Sequence, residues 1–340
     1  MKAFTTLGDG IAALNLDERP TPVPGRDEVL VKMTAAALNF RDLLVINGTG
    51  TWKPHAPRIP VSDGVGVVVA VGEAVTRFRT DDRVIGIFGP RWLDGGFTFA
   101  KGVGQLGGAE ADGVLAEYRV FNEQAVVAAP GHLTDIEAAT LPVSAVTAWH
   151  AVRRRSNVQR GDRVLIQGTG GLSLFALQFV HALGGQAIVI SSSDEKLEKA
   201  RALGAAGIIN YNKVPAWEEE VLKLTDGQGV DHVMEVIGGE NLNRSLRAVK
   251  VSGTISFIGE MAGLSAPINT IEIAAKNLCI HGIETGSREM FEEMNRFIAS
   301  HQIRPVVDTT RAFSEFPDAL RHLASRKHFG KVAVVFSERG

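Results

Sequence analysis

Short apolar runs alternate with helical segments in the second half of this sequence, and the alternation limits the fold more than any other feature. Five such runs follow Gly161; they lie at 163–166, 187–190, 207–209, 232–237 and 254–258. Runs that are apolar at nearly every position are typical of parallel strands that helices cover on both faces. The pattern predicts an α/β domain with a doubly wound parallel sheet, which we place at 128–285.

A glycine-rich loop lies between the first of these runs and a helical segment. Residues 167–173 read Gln-Gly-Thr-Gly-Gly-Leu-Ser, with a serine in place of the third glycine of the usual fingerprint. Glycines let the backbone approach a pyrophosphate, and the N–H groups of the helix N-terminus hold its charge. The alternative is an ordinary tight turn between strand and helix. The surrounding βαβ pattern favours dinucleotide binding, with Gly168, Thr169, Gly170, Gly171 and Leu172 as candidate contacts.

The end of the second run selects between the two nicotinamide dinucleotides. An Asp or Glu about 20 residues after the fingerprint binds the ribose hydroxyls of NAD and would repel the extra phosphate of NADP. Ser191 takes this position, and Ser192 and Lys196 follow it. These groups favour NADP, whereas the neighbouring Asp194 counts against it. In a second interpretation, which is compatible with the first, Ser193 only caps a helix that begins at Asp194.

The first part of the sequence, 1–127, has shorter apolar runs separated by turn-forming residues. The runs at 28–33, 64–71 and 83–87 have the length and composition of β-strands. They predict a compact β-barrel-like domain. A helical segment near 290–298 and a final strand at 331–336 follow the α/β domain, and we expect 286–340 to complete the first domain.

Length, charge and cysteine content exclude several classes of protein. A chain of 340 residues fits two domains. Its 36 Lys and Arg residues against 38 Asp and Glu residues leave a net charge of -2 and no long basic run, so we expect no nucleic-acid partner. The single cysteine, Cys279, allows no internal disulfide, which fits a reducing cytoplasm. We expect neither a secretion signal nor a membrane span, because no apolar stretch approaches about 18 residues.

Several motifs together resemble a known family. They are the stretch Ala-Leu-Asn-Phe-Arg-Asp at 37–42, the stretches 60–66, 113–118 and 141–148, Gly72 and the glycine loop. In combination they resemble the medium-chain dehydrogenase/reductase superfamily over nearly the whole chain. The resemblance implies a GroES-like β-barrel domain and a Rossmann domain, with the active site in the cleft between them.

Zinc alcohol dehydrogenases of this superfamily bind a catalytic zinc ion through Cys, His and Cys. The matching positions here hold Asn39, Ser62 and Val143, none of which offers the thiolate, imidazole or carboxylate that zinc needs. Asp63, which matches the glutamate after the family histidine, is an isolated carboxylate in the sequence. The segment 86–113 also lacks the cysteines of the structural zinc lobe. We therefore expect no metal.

Within the superfamily the sequence is most similar to the zinc-independent quinone oxidoreductase and enoyl reductase branch, which uses NADPH. The resemblance places Lys196 at the 2′-phosphate, Tyr211 near the same group and Thr147 beside the nicotinamide. It also lets Lys331 reach the cofactor, and Ile258 completes the predicted contacts. Tyr211 is alternatively a loop aromatic after a strand, and Thr147 a hydroxyl used in helix packing.

The expected chemistry is hydride transfer without a metal. A small electrophilic substrate such as a quinone or an enone can delocalise the arriving charge onto an oxygen that hydrogen-bond donors hold. Asn39 is the first candidate donor and Arg41 the second, although an ion pair between Arg41 and Asp42 would orient the loop instead. We expect a solvent proton to complete the reduction. Two alternatives remain: a zinc-free NAD(P)-dependent alcohol dehydrogenase or carbonyl reductase, and a non-catalytic NADPH-binding structural or redox-sensing protein.

The apolar run at 277–283 bears on assembly. In this superfamily the matching segment is an edge strand that pairs with its twin across a two-fold axis, and exposed edges invite such pairing. The resemblance therefore implies a homodimer. The alternative is an internal strand covered by the next helix, in a monomer.

Overall fold

The computed structural model describes residues 1–259, 261–263 and 265–336, and the chain divides into two compact units. One unit comprises Met1–Val146 with Thr285–Gly340, and the other comprises Thr147–Glu284. Residues 128–146, which the sequence assigned to the second domain, belong to the first unit. The C-terminal segment joins the first unit, although residues 337–340 lie outside the described residues.

Strands are numbered along the chain. The first unit contains β1 (Lys2–Thr5), β2 (Asn15–Glu18), β3 (Glu28–Ala37), β4 (Asp63–Val71), β5 (Arg83–Gly86), β6 (Tyr118–Asn122) and β7 (Val126–Ala128). The second unit contains β8 (Arg163–Gln167), β9 (Gln186–Ser191), β10 (Gly207–Asn210), β11 (Val230–Glu235), β12 (Val249–Phe257) and β13 (Cys279–Gly282). The chain then returns to the first unit with β14 (Val307–Ala312) and β15 (Lys331–Val335).

Helices are numbered in the same way. They are α1 (Phe40–Ile46), α2 (Phe99–Gly102), α3 (Asp135–Ala138), α4 (Val146–Trp149), α5 (Gly171–Ala182), α6 (Asp194–Ala202), α7 (Trp217–Leu224), α8 (Asn241–Ala248), α9 (Thr270–Ala275), α10 (Arg288–Ser300) and α11 (Phe316–Ala324). Wider helical turns at Leu141–Ala145 and His150–Arg155 flank α4. Among the described helices, none combines the length and apolar character needed to cross a membrane.

The first unit is built on a sheet in which N-terminal and C-terminal strands pair. Its strands follow the order β14-β15-β3-β4-β5-β7, and β6 also pairs with β3. β15 runs antiparallel to β3, with Ala333 opposite Ala37. Helix α3 packs against β3 and β4, which explains why its segment belongs to this unit. The β-domain predicted from turn-separated runs is confirmed, and the terminal strand completes its sheet.

The second unit has the strand order of a doubly wound fold. In the described residues its sheet follows the order β10-β9-β8-β11-β12-β13, and each neighbouring pair is parallel. The order reverses between β8 and β11, and ligands of such sheets bind outside the strand ends at this switch point. Helix α5, which follows β8, buries Leu174, Phe175 and Phe179. The predicted parallel α/β sheet is therefore confirmed.

β13 forms one edge of this sheet, as the sequence predicted. It pairs with β12, Ile280 lying opposite Ile255, and the described residues place no strand on its other side. An unpaired edge exposes backbone N–H and C=O groups that a second copy can satisfy.

We propose that two copies of this chain pair through β13 and form a homodimer. Ile280→Pro removes a backbone donor from this edge and should shift the protein to monomer in sedimentation velocity at micromolar concentration. Ile208→Pro, on the opposite edge strand β10, is the matched control and should leave the dimer intact. A purely monomeric wild-type protein, or a dimer that survives Ile280→Pro, would contradict this interface.

Candidate functional site

The glycine loop of the second unit has the geometry that a pyrophosphate needs. Gly168 has a φ of 79°, in the left-handed region that favours glycine. A Cβ on Gly170 would meet no atom within 4 Å, so the space beside this residue is open to a ligand. Helix α5 begins at Gly171 without a side-chain cap, which leaves its first N–H groups to a ligand or to water. The loop therefore fits a dinucleotide.

Glu235, a buried carboxylate that was not predicted as a site residue, supports the strand that leads into this loop. Glu235, at the end of β11, accepts hydrogen bonds from Gln167 Nε2 at 2.9 Å and from the N–H of Gly238 at 2.9 Å. It also accepts one from Ser245 Oγ. Gln167 ends β8 directly before the glycines, so these bonds connect the two strands at the switch point. The sequence did contain a signal for this cluster, namely a glutamate within an apolar run, because a buried carboxylate needs hydrogen-bond partners.

Four predicted cofactor residues lie together at the ends of β9 and β10. The N–H of Tyr211 donates to the carbonyl of Ser191 at 3.1 Å, which joins the two strand ends. Ser192 follows Ser191, and Ser193 Oγ accepts from the N–H of Lys196 at 3.4 Å. Ser193 is thus the N-cap of α6, as predicted. The cap uses Ser193 alone and leaves the hydroxyls of Ser191 and Ser192 to other roles.

Asp194, the residue that counts against NADP, is engaged by its neighbours. Its Oδ1 accepts from Asn210 Nδ2 at 2.7 Å, and Lys213 Nζ lies 2.6 Å from its Oδ2. The hydrogen bond from Lys213, assisted by Asn210, lowers the pKa of Asp194. Lys213 therefore offsets this negative charge at the strand ends. Lys213 is not among the residues predicted from the sequence to bear on cofactor choice.

Thr147 and Ile258 occupy different places in the second unit. Thr147 is a buried residue of α4. Ile258 directly follows β12, and its N–H donates to the carbonyl of Glu235 at 2.9 Å. Ile258 thus lies at the carboxyl edge of the sheet, on the side of the glycine loop. Their contacts with a cofactor stay predictions.

In the first unit, strand pairing brings charged residues to one end of the sheet. Ala37, the last residue of β3, lies opposite Asp63 of β4 and opposite Ala333 of β15. Asn39 follows Ala37 by two residues, and Lys331 precedes Ala333 by two. Asn39, Asp63 and Lys331 therefore meet, although the sequence separates them widely.

The amine of Lys331 is buried within this cluster. Its Nζ donates to the carbonyl of Leu38 at 2.8 Å, to Asn39 Oδ1 at 2.6 Å and to Ser144 Oγ at 3.3 Å. Asp63 Oδ2 lies 3.7 Å from the same Nζ. Burial lowers the pKa of Lys331, and Asp63 and Asp42 oppose this effect. Three acceptors match the three N–H donors of an ammonium group, so the hydrogen bonds favour the charged form.

Asp63 is not the isolated carboxylate that the sequence suggested. Ser62 Oγ donates to its Oδ1 at 2.7 Å, and the N–H of Val143 donates to its Oδ2 at 3.2 Å. Burial raises the pKa of Asp63, while Lys331 and the amide of Asn39 act in the opposite direction. The pairing with Lys331 was missed because the two residues adjoin only in the folded sheet.

The positions that match a catalytic zinc site thus come together, but their side chains do not fit the metal. Asn39 offers an amide, Ser62 a hydroxyl that bonds Asp63, and Val143 an apolar group. Among the described residues, no three His, Cys, Asp or Glu side chains are grouped so that they could hold a metal ion. Zinc in proteins is held by thiolate, imidazole or carboxylate donors.

Arg41 and Asp42 lie in the first turn of α1, directly after Asn39. Asp42 Oδ2 accepts from the N–H of Asn39 at 2.8 Å, and Arg41 Nη1 lies 3.4 Å from Asp42 Oδ1. Arg41 also donates to the carbonyl of Leu106 at 3.1 Å, and its guanidinium lies over the ring of Phe88 at 4.8 Å. The predicted ion pair is confirmed. A contact between Arg41 and a substrate stays a prediction.

Comparison with known sequences finds related chains. The family model described as Alcohol dehydrogenase GroES-like domain matches residues 25–131, and the one described as Zinc-binding dehydrogenase matches residues 171–300. A zinc-type alcohol dehydrogenase-like protein of Schizosaccharomyces pombe is 42% identical over 313 residues, 90% of each chain. An acryloyl-coenzyme A reductase of Sulfurisphaera tokodaii is 28% identical over 98% of this chain and 99% of its own.

Solved structures share the fold. One from Sinorhizobium meliloti 1021 with an alcohol dehydrogenase assignment has a TM-score of 0.91 and 41% identity, covering 99% of this chain and 100% of its own. An NAD-dependent alcohol dehydrogenase has a TM-score of 0.88 and 30% identity, covering 99% and 100%. A 2-octenoyl-CoA carboxylase reductase in complex with NADP and 2-octenoyl-CoA has a TM-score of 0.87 and 27% identity, covering 100% and 88%.

The buried carboxyl of Asp42 predicts a pH dependence of stability. Burial raises its pKa from 3.8 to about 6, despite Arg41 and the N–H of Asn39. The folded chain therefore holds this proton more tightly than the unfolded chain. The protonated Asp42 stabilises the folded chain relative to its ionised form. This stabilisation is fully present below pH 3.8 and is lost as the pH rises to about 6. Asp42→Asn should gain stability relative to the wild type across this window, by up to about 3 kcal/mol.

Urea unfolding of both proteins between about pH 4 and about pH 7 measures this difference. Asp194→Asn is a control whose effect on stability should change with pH in the opposite direction, because the hydrogen bond from Lys213 lowers the pKa of Asp194. The contribution of Asp194 is present above its unfolded pKa and is lost as the pH falls. A stability difference between wild type and Asp42→Asn that is the same at every pH would contradict the raised pKa.

Proposed function

The chain belongs to the medium-chain dehydrogenase/reductase superfamily, and from this premise we propose that it is a zinc-independent, NADPH-dependent oxidoreductase. Its acceptor in this proposal is a quinone or an activated C=C or C=O group. The observation that carries the proposal is the amide of Asn39, a buried donor where zinc dehydrogenases of the superfamily have a metal ligand.

The residues that would hold the cofactor in this proposal belong to the second unit. The open glycine loop at Gly168–Gly171 would bind the pyrophosphate, and Ser191, Ser192 and Lys196 the 2′-phosphate, with Tyr211 beside them. The pairing of Asp194 with Lys213 supports NADPH, because it offsets a carboxylate that directly follows the serines and would repel a phosphate. The bound cofactor supplies the hydride. The protein's own task is to orient the acceptor and to stabilise the charge that develops on it.

The proposed acceptor follows from the chemistry of the cluster at Asn39. Without a Lewis acid, a simple ketone lacks strong polarisation, whereas an enone or quinone places the new charge on an oxygen that an amide N–H can hold. Asn39 Nδ2 is buried and makes no hydrogen bond of normal geometry within the described residues, although it is near enough to Asp63 to lower the pKa of that carboxyl. A buried donor without a partner is costly, and an acceptor oxygen would satisfy it.

A second candidate function is supported by the relatives. The Schizosaccharomyces pombe protein is named as alcohol dehydrogenase-like, and two of the solved structures are named as alcohol dehydrogenases. A zinc-free alcohol dehydrogenase or carbonyl reductase would use the same cofactor residues. The two activities differ in whether a saturated aldehyde is reduced as fast as a conjugated one. A non-catalytic NADPH-binding role would leave binding intact without turnover.

Stopped-flow oxidation of bound NADPH tests the proposed function. We expect rapid oxidation by 1,4-benzoquinone or 2-cyclohexenone and slow oxidation by butanal, because only the conjugated acceptors delocalise the charge. The purified protein should contain no stoichiometric zinc and should keep this activity in EDTA. Faster oxidation by butanal supports the dehydrogenase alternative, and no oxidation by any acceptor supports the binding role. Zinc that is lost together with activity in EDTA would overturn the zinc-free mechanism.

Cofactor preference is tested by Lys196→Ala. Loss of a charge-assisted bond to the 2′-phosphate should weaken NADPH binding by about tenfold or more, while NADH binding changes by less than about twofold. The matched control is Lys199→Ala on the same helix, since Lys199 pairs with Glu195 at 2.7 Å. Fluorescence titration measures both cofactors. If the wild-type protein binds NADH as tightly as NADPH, Ser191 and Ser192 do not select NADPH, and the role of this segment is limited to the Ser193 cap of α6.

A further inference from the structure

The amide of Asn39 is oriented by two donors. Its Oδ1 accepts from Lys331 Nζ at 2.6 Å and from Ser144 Oγ at 3.0 Å. An ammonium group can only donate, so the oxygen of the amide must face Lys331. The NH₂ group then faces away from Lys331 Nζ and lies beside the carboxyl of Asp63. In the opposite orientation, Asn39 Nδ2 would lie against the ammonium and both groups would lose a hydrogen bond.

Lys331 is itself held in place by the backbone and by charge. The carbonyl of Leu38 and the carboxylate of Asp63 occupy two further sides of its Nζ. The side chain is only 3% exposed, and Asn39 is 7% exposed. The pairing of β15 with the end of β3 holds the backbones of Lys331 and Asn39 close together, so their side chains meet in this arrangement. The contact between Lys331 and Asn39 is therefore buried in the first unit and held in place by its sheet.

We infer that Lys331, assisted by Ser144, is a positioning residue that fixes the Asn39 amide, so that one N–H of Nδ2 lies toward Asp63 and the other can donate to the oxygen of the acceptor. This inference rests on the proposed function. It also gives Lys331 a role through Asn39 instead of the direct cofactor contact implied by the family resemblance. Its three N–H donors are already used by Leu38, Asn39 and Ser144.

A double-mutant cycle tests whether Lys331 acts through Asn39. Lys331→Met and Asn39→Ala should each lower kcat with 2-cyclohexenone by about tenfold or more, and kcat should change more than KM, because the bond strengthens as charge develops. The double variant should be no slower than Asn39→Ala alone. Multiplicative losses in the double variant would overturn the inference.

Two binding measurements separate this inference from its alternatives. NADPH affinity by fluorescence titration should change by less than about threefold in Lys331→Met; a loss of tenfold or more would indicate a direct cofactor contact and overturn the positioning role. Calorimetric titration of 2-cyclohexenone into NADP⁺-loaded protein repeats the cycle without turnover. Coupled losses of affinity support the inference even if the wild type proves inactive, whereas uncoupled losses count against it.

Ser144→Ala keeps the test decisive if Lys331→Met does not fold. It removes the second donor to Asn39 Oδ1 and leaves the pair of Lys331 and Asp63 in place. We expect a loss in kcat of about threefold to tenfold that disappears in the Asn39→Ala background. A loss of the same size in both backgrounds would mean that Ser144 acts independently of Asn39, contrary to the inference.

Discussion

Antiparallel pairing at the end of β3 is the constraint on which the first unit and its candidate chemistry depend. Because Ala37 lies opposite both Asp63 and Ala333, the next residues along each strand bring an amide, a carboxylate and an ammonium into one buried volume. A shift of either strand by one residue would turn these side chains to the other face of the sheet. Burying such charges is unfavourable unless they meet partners of opposite sign and hydrogen bonds. The register supplies both, since Asp63 faces Lys331, and Ser62 and Val143 satisfy the carboxylate.

The second unit depends on a different constraint, the turn from β8 into α5. Parallel strands end at the same edge, so the glycine loop, Ser191, Tyr211 and Ile258 all lie along the carboxyl edge of one sheet. Glu235 connects β11 to the last residue of β8 through Gln167, directly before the glycines. The strand that leads into the open space at Gly170 is therefore held by satisfied polar groups. Such support is what preorganised ligand contacts require.

Features that depend on neighbouring residues in the chain were predicted correctly from the sequence. The apolar runs identified the parallel strands, and the glycine loop, the Ser193 cap and the Arg41–Asp42 ion pair were all recognised from neighbouring residues. Contacts between distant residues were not recognised. Lys331 and Asn39 are 292 positions apart, and nothing in either local sequence says that one is buried beside the other. The carboxylate of Glu235 and the pairing of Lys213 with Asp194 were missed for the same reason. The assignment of 128–146 to the second domain failed because the packing of α3 on β3 and β4 is a tertiary contact.

In the proposed function, the cluster around Asn39 directs charge without a metal ion. A zinc ion would polarise an acceptor oxygen directly as a Lewis acid, whereas the ammonium of Lys331 is already bonded to Leu38, Asn39 and Ser144. In the proposed role, Lys331 would act on an acceptor through the orientation of the Asn39 amide, which is a weaker effect than direct coordination. A weaker stabilisation suffices only when the acceptor itself spreads the incoming charge. Conjugated acceptors meet this condition and saturated carbonyls do not, so the substitution of Asn for a zinc ligand and the burial of Lys331 beside it favour the same class of substrate.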